Sequence, residues 1–181
     1  MTIYSNIDIF WGDSRIISLE LVINGLEESI NNLLQKEKEL DWYDGLWFLE
    51  ESEPILGLAF IAFQNYINSS IFDKEQELNN QFEKYKIQGV FFNTNRSKIE
   101  LIIALANYYK HRDSPKSLFG ETVNILKDFN LKFDKDIDIV ESPIFKGFDI
   151  LSKNNNLEDV ISIVINWRKE LWKEEYPENY N

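Results

Sequence analysis

The chain has 181 residues, of which 44% are hydrophobic, a composition that indicates a folded globular domain rather than a disordered chain. Its formal net charge of −12 disfavours non-specific binding to nucleic acid and suits a basic partner. The absence of cysteine excludes disulfides, thiolate metal sites and cysteine nucleophiles. With only 7 glycines and 4 prolines, the sequence favours long helices over many short strands.

Neither a secretion signal nor a membrane span is expected. The first ten residues contain an aspartate and no lysine or arginine, so they lack the basic start of a secretory signal. The apolar run over residues 55–63 is shorter than the ~18 residues that span a bilayer. We therefore expect a cytoplasmic protein without membrane contact, folded as one domain over residues 1–181.

The N-terminal part of the chain predicts an arm followed by a long helix. Apolar residues alternate loosely over residues 1–10, which could form an extended arm. Asp13 or Ser14 would cap the helix that follows, because apolar residues recur at helical spacing over residues 16–34. The charged run at residues 35–39 ends this helix as a solvated face.

An apolar segment predicts the central helix of the fold. Asp44 and Gly45 indicate a turn, although the apolar residues around them could be helical. Pro54 then predicts a helix start, because proline suits the first helical turn. Residues 54–71 are apolar nearly all round, so this helix is expected to lie in the core. A further amphipathic helix is predicted over residues 74–86.

The C-terminal half predicts three more helices. Ser97 and Glu100 fit a capping box, which begins a helix that ends near Pro115. Two further helices are predicted at residues 121–129 and 157–174. Between them, residues 134–140 could form either a short strand or a loop. The whole pattern predicts an all-α fold, an irregular bundle of about five or six helices.

His111, the only histidine, stands in the segment with the richest chemistry. Asn107 lies four residues before it, which places both on one helical face, and Lys110 and Arg112 flank it. A histidine exchanges protons near neutral pH, while an amide and two cations can hold and stabilise a phosphodiester. His111, Asn107, Lys110 and Arg112 are therefore candidate catalytic residues of a ribonuclease that needs no metal and no cofactor.

The same residues also have a structural interpretation. Cations in a last helical turn offset the negative end of the helix dipole, which would account for Lys110, His111 and Arg112. Gln64 interrupts the apolar central helix and has two interpretations of its own. It is either a hydrogen-bonded buried amide that fixes helix packing or a polar group that faces His111 across the bundle.

The segment ANYYKH, residues 106–111, resembles the signature helix of the HEPN superfamily. That superfamily consists of small helical bundles, many of them metal-independent endoribonucleases of toxin–antitoxin, CRISPR and anti-phage systems. Its motif is an arginine, four to six intervening residues and a histidine, often with asparagine directly after the arginine. Asn107 and His111 match this pattern.

The chain departs from the HEPN motif at the arginine, because the corresponding positions hold Ala104, Leu105 and Ala106. Lys110 or Arg112 would have to supply the missing positive charge. Residues 58–67, together with the segment NYYKHRD at residues 107–113, also resemble uncharacterised bacterial proteins that carry an NYxKHRD-type motif.

The HEPN resemblance implies a bacterial toxin–antitoxin or anti-phage defence protein that cleaves RNA with His111 as general acid/base and Asn107 positioning it. It also implies a homodimer through the helix at residues 97–113, with two copies of His111 at one cleft. The charge supports a second hypothesis, an acidic immunity protein or antitoxin that binds and neutralises a toxin. A third is a catalytically inactive HEPN-like scaffold. The expected partner is thus RNA or a cognate toxin or antitoxin protein.

Overall fold

A computed structural model describes residues 13–91, 94–114, 118, 120–134 and 136–173. It is 71% helical, with no strand among these residues, which confirms the predicted all-α class. The N-terminal arm predicted over residues 1–10 lies outside the described residues. The elements in chain order are α1 Ile16–Glu39, α2 Gly45–Glu75, α3 Gln81–Lys84, α4 Lys98–His111, α5 Glu121–Asp128, a 3₁₀ helix Ile139–Glu141, α6 Pro143–Leu151 and α7 Leu157–Trp172.

The central helix α2 begins at Gly45 rather than at Pro54, so the predicted start is wrong. Asp44, assigned to a turn from the sequence, is the cap: its Oδ1 accepts hydrogen bonds from the backbone N–H groups of Leu46 and Trp47 at 3.0 and 3.2 Å. Pro54 lies inside the helix. Proline there cannot donate its backbone hydrogen bond, and the rest of the helix compensates for this loss.

Burial explains why α2 is apolar on nearly every side. The helix packs against α1, α4, α6 and α7, and its most deeply buried side chains include Phe60, Phe63 and Ile67. By length and composition, α2 is the one helix among the described residues that could cross a membrane. However, 56% of its apolar window is buried inside the bundle, as in the core helix of a soluble protein.

Helix α3 is much shorter than the helix predicted over residues 74–86. Gln76 and Asn80 have φ angles of 59° and 60°, in the left-handed region that interrupts a right-handed helix. The chain therefore leaves α2 at Gln76 and resumes helix only for Gln81–Lys84. The amphipathic spacing alone did not reveal these two interruptions.

Helix α6 follows the 3₁₀ turn and is absent from the sequence prediction. Ser142 caps it by accepting a hydrogen bond from the backbone N–H of Ile144 at 3.2 Å, and Pro143 occupies its first turn. The helix has nine residues, too few for its apolar spacing to stand out in the sequence. It nevertheless helps to form the cleft described below, because Ser142 lines that cleft.

Helix α4 begins as predicted and passes through the middle of the bundle. Its capping box is complete: Glu100 N–H donates to Ser97 Oγ at 3.0 Å, and Ser97 N–H donates to Glu100 Oε2 at 2.7 Å. Nine of the 14 residues of α4 are buried. Its exposed residues, Lys110 and His111, lie in the last turn.

Two glycines allow neighbouring helices to approach α4 closely. A Cβ atom on Gly57 of α2 would overlap the ring of Tyr109, and one on Gly147 of α6 would lie 2.5 Å from Leu105 Cδ1. Real Cβ atoms do not approach other atoms this closely, so each glycine is required by a helix contact rather than by backbone conformation.

We predict that Gly57→Ala lowers the free energy of unfolding by about 1–3 kcal/mol, the usual effect of overpacking a core. Gly25→Ala on α1 is the matched control, because its Cβ would meet no atom within 4 Å. That change should raise stability by ~0.5–1 kcal/mol, since alanine favours helix. Urea unfolding monitored by circular dichroism measures both. Equal stability of the two variants would contradict the close contact with Tyr109.

Candidate functional site

An open cleft of about 390 Å³ lies where α4 ends. Residues of α4 and the turn after it form one wall, including His111 and Arg112. Apolar side chains such as Phe133 line another part, and Asp134 stands beside them. The cleft therefore combines an apolar lining with charged groups, which is typical of a site that orients a ligand.

His111 is exposed in this cleft. Within the described part of the chain, its imidazole makes no hydrogen bond or ion pair, while its backbone carbonyl accepts from Ser114 N–H at 3.0 Å. The ring is thus free to meet a ligand from solution. It is not oriented by Asn107 or another described side chain, and such an orienting group is what general acid/base catalysis by histidine usually requires.

Arg112 is tied to a buried carboxylate. Its Nη1 donates to Glu53 Oε2, and the hydroxyl of Ser142 donates to Glu53 Oε1. Burial lowers the pKa of Arg112, but the hydrogen bond to Glu53 and the charge of Glu53 raise it by more than burial lowers it. The pKa therefore lies above its ordinary value. The guanidinium also lies 4.8 Å from the ring centroid of Tyr109. Glu53 therefore neutralises the arginine that was expected to hold a phosphate.

Asn107 and Lys110 belong to a different network. Lys110 Nζ donates to Gln64 Oε1 at 2.6 Å, and Gln64 Nε2 donates to Asn107 Oδ1 at 2.9 Å. Asn107 in turn donates from Nδ2 to Thr122 Oγ1 at 3.3 Å. Partial burial lowers the pKa of Lys110. Gln64 is thus the hydrogen-bonded, buried amide of the first interpretation; it contacts Asn107 and Lys110 rather than His111.

Helix geometry explains why the two predicted cations do not converge. With 3.6 residues per turn, positions 110 and 112 point about 200° apart, so Lys110 and Arg112 face opposite sides of α4. The structure brings His111 and Arg112 to the cleft and directs Asn107 and Lys110 toward α2 and α5. Adjacency in the sequence placed the two cations together, but the helix separates them.

The structure adds carboxylates to the site that sequence spacing did not connect with His111. Glu53, Asp113 and Asp134 all line the cleft. Glu53 is paired, whereas Asp113 is exposed and, within the described residues, makes only a 3.7 Å contact with Arg112 Nε. Asp134 makes no side-chain hydrogen bond or ion pair within the described residues. Sequence reasoning did not find Glu53, because its contact with Arg112 joins residues that are 59 positions apart in the chain.

The positions where a HEPN arginine would stand lie in the apolar core. Ala104, Leu105 and Ala106 are all fully buried. Comparisons with protein-family models, curated proteins and solved structures find no match to this chain. The HEPN resemblance and the homodimer through α4 therefore remain predictions. A dimer contact on α4 would fall mainly on its last turn, which carries the exposed residues Lys110 and His111.

We predict that Gln64→Leu lowers the free energy of unfolding by ~1–3 kcal/mol, because it leaves Lys110 and Asn107 without their shared partner. Asn65→Leu is the control. It adds similar apolar volume at the next position, which is exposed, and should change stability by no more than about 0.5 kcal/mol. Thermal melts of the two variants check this. A Gln64→Leu melt at or above that of the wild type would show that the network contributes nothing.

Proposed function

We propose that this protein is a cytoplasmic, HEPN-like member of a bacterial defence or toxin–antitoxin system that captures a basic partner protein, as an immunity protein or antitoxin does. The observation that carries the proposal is the charge of the cleft at the end of α4. Its described lining holds three carboxylates against one arginine, and that arginine is already paired with Glu53.

The cleft suits a cationic side chain better than a phosphate. A phosphodiester would meet Asp113 and Asp134, and no unpaired lysine or arginine is found among the described lining residues. A lysine or arginine of a partner could place its aliphatic stem against Phe133 and its charge between the two aspartates. The net charge of −12 would also steer a basic partner toward the protein and raise its rate of association.

We expect wild-type protein to restore growth of cells that express a toxic product of the neighbouring gene. Asp113→Asn with Asp134→Asn should weaken binding to that product by about tenfold, or 1.4 kcal/mol. Glu28→Gln with Glu158→Gln makes the same change in charge at exposed positions elsewhere and is the control. Growth and calorimetric titration measure the two effects. Failure to restore growth, or equal weakening by both double variants, would count against capture through the cleft.

RNA cleavage by His111 is the second candidate, supported by the exposure of His111 beside Arg112 in an open cleft. Here His111 would exchange protons with RNA, with no metal. Arg112 would contact the phosphate only if Glu53 released it. A capping role for His111 requires positive charge alone, which lysine provides. Acid/base catalysis requires a group that titrates near neutral pH, and lysine, with a pKa of ~10.4, does not.

A single experiment separates the two candidates. Wild type, His111→Ala and His111→Lys are incubated with RNA in the presence of EDTA, and expression of each is scored for growth arrest. The capture proposal predicts no cleavage and no arrest for any of the three. Cleavage by wild type that both substitutions abolish would instead establish His111 as a catalytic residue and overturn capture as the main function.

A further inference from the structure

Three large apolar side chains are exposed where α1 ends and α2 begins. We call residues 36–51 the hairpin tip. Trp42 is 64% exposed in the connecting turn, and Leu46 and Trp47 are 51% and 49% exposed in the first turn of α2. Tryptophan is the residue type most enriched among those that dominate binding energy at protein interfaces. Two half-exposed tryptophans within six residues therefore indicate a contact surface.

The hairpin tip is held in one conformation although its tryptophans are exposed. Tyr43, next to Trp42, is buried, and its hydroxyl donates to Glu51 Oε2 at 2.7 Å. Burial and this hydrogen bond raise the pKa of Tyr43 to about 12. Lys36 Nζ donates to the same carboxylate oxygen at 3.1 Å and lies 4.2 Å from the Tyr43 ring centroid. A fixed turn loses little conformational entropy on binding, so these contacts preorganise the surface.

Charge around the tryptophans specifies the kind of partner. Residues 36–51 contain six carboxylates and two lysines. One lysine, Lys36, is paired with Glu51. Asp41, Asp44 and Glu50 are exposed beside the apolar side chains. An apolar patch with an acidic rim is complementary to a segment that has an apolar face and basic flanks.

The hairpin tip and the cleft are connected by helix α2. Leu46 lies seven residues before Glu53 on α2, so both are on the same helix face, about 10 Å apart along the axis. Glu50 lies between them on that face. One partner could therefore contact the tip and reach the cleft at the same time.

We propose that the hairpin tip is the docking surface for a basic amphipathic segment of a partner protein, anchored on Trp42, Leu46 and Trp47. The inference rests on the proposed function, because it assigns the same basic partner a second, apolar contact. The apolar face of the segment would cover the two tryptophans. Its lysines and arginines would pair with Asp41, Asp44 and Glu50.

The test uses synthetic 16-residue peptides, so it does not require the natural partner. The probe is an amphipathic peptide of lysine, leucine and tryptophan. One control peptide replaces each lysine with glutamate, and another has the same composition in an order that forms no apolar face. Titration calorimetry with the full chain should show the probe binding at least ~10-fold tighter than either control peptide.

Variants then locate the binding. Trp42→Ser with Trp47→Ser should weaken binding of the probe at least ~10-fold. Ile17→Ser with Leu21→Ser, which removes two exposed apolar side chains of α1, should change it less than twofold. Asp41→Lys with Glu50→Lys should also weaken binding at least ~10-fold, while Glu28→Lys with Glu158→Lys should weaken it less. Circular dichroism melts verify that each variant is folded.

The outcomes separate this inference from the proposed function. Equal binding by wild type and the tryptophan variant overturns the docking surface, as does equal affinity for the three peptides. If Asp113→Asn with Asp134→Asn no longer binds the probe peptide while the tryptophan variant still binds it, the cleft is the binding site of the peptide. In that case only the proposal for the hairpin tip fails. If ultracentrifugation shows a wild-type dimer that the tryptophan variant dissociates, the occupant is a second copy of this chain and the basic partner is excluded.

Discussion

A buried carboxylate, Glu53, connects the three helices that form the cleft. It is only 5% exposed, and it accepts from Arg112 at the end of α4 and from Ser142 at the start of α6. Removing a charge from water is costly unless hydrogen bonds and an opposite charge offset the loss. Both offsets are present, so α2, α4 and α6 can meet only where all three groups align. The last turn of α4, with His111, is positioned by this alignment.

The same interaction limits the chemistry of the cleft. A guanidinium that is paired with a buried carboxylate can neutralise a phosphate only if it leaves the carboxylate, which would then be a buried charge without a partner. Lys110 does not replace it, because its ammonium is bound to Gln64 on another side of the helix. Among the described lining residues, the exposed carboxylates beside His111 are those of Asp113 and Asp134. The pairing that stabilises the fold at this point is therefore the reason why we propose a cationic ligand.

Local signals in the sequence predicted most of the helices, and long-range contacts determined the site. Ser97 and Glu100 indicated the start of α4, because both hydrogen bonds of a capping box form within four residues. Pro54 was misleading, since the tertiary contacts of α2 outweigh the hydrogen bond that proline removes. No local signal could link Glu53 to Arg112 and Ser142, because the three lie far apart in the chain. For Lys110 and Arg112, the sequence spacing was sufficient, because residues that are two positions apart on a helix point to opposite faces.

The strong negative charge and the exposed tryptophans are best explained together. An apolar patch on a protein of low charge would promote self-association, whereas like charges around it keep copies apart. In the docking surface that we propose, the carboxylates near Trp42 and Trp47 would oppose contact with another acidic copy and attract a basic partner. Because the turn is held by Tyr43 and Glu51, the patch cannot collapse onto the protein to hide its apolar area. In physiological salt, electrostatic attraction acts over about 8–10 Å, whereas apolar side chains attract each other only in direct contact. A rigid apolar surface with an acidic rim would therefore select its partner by charge before apolar contact forms.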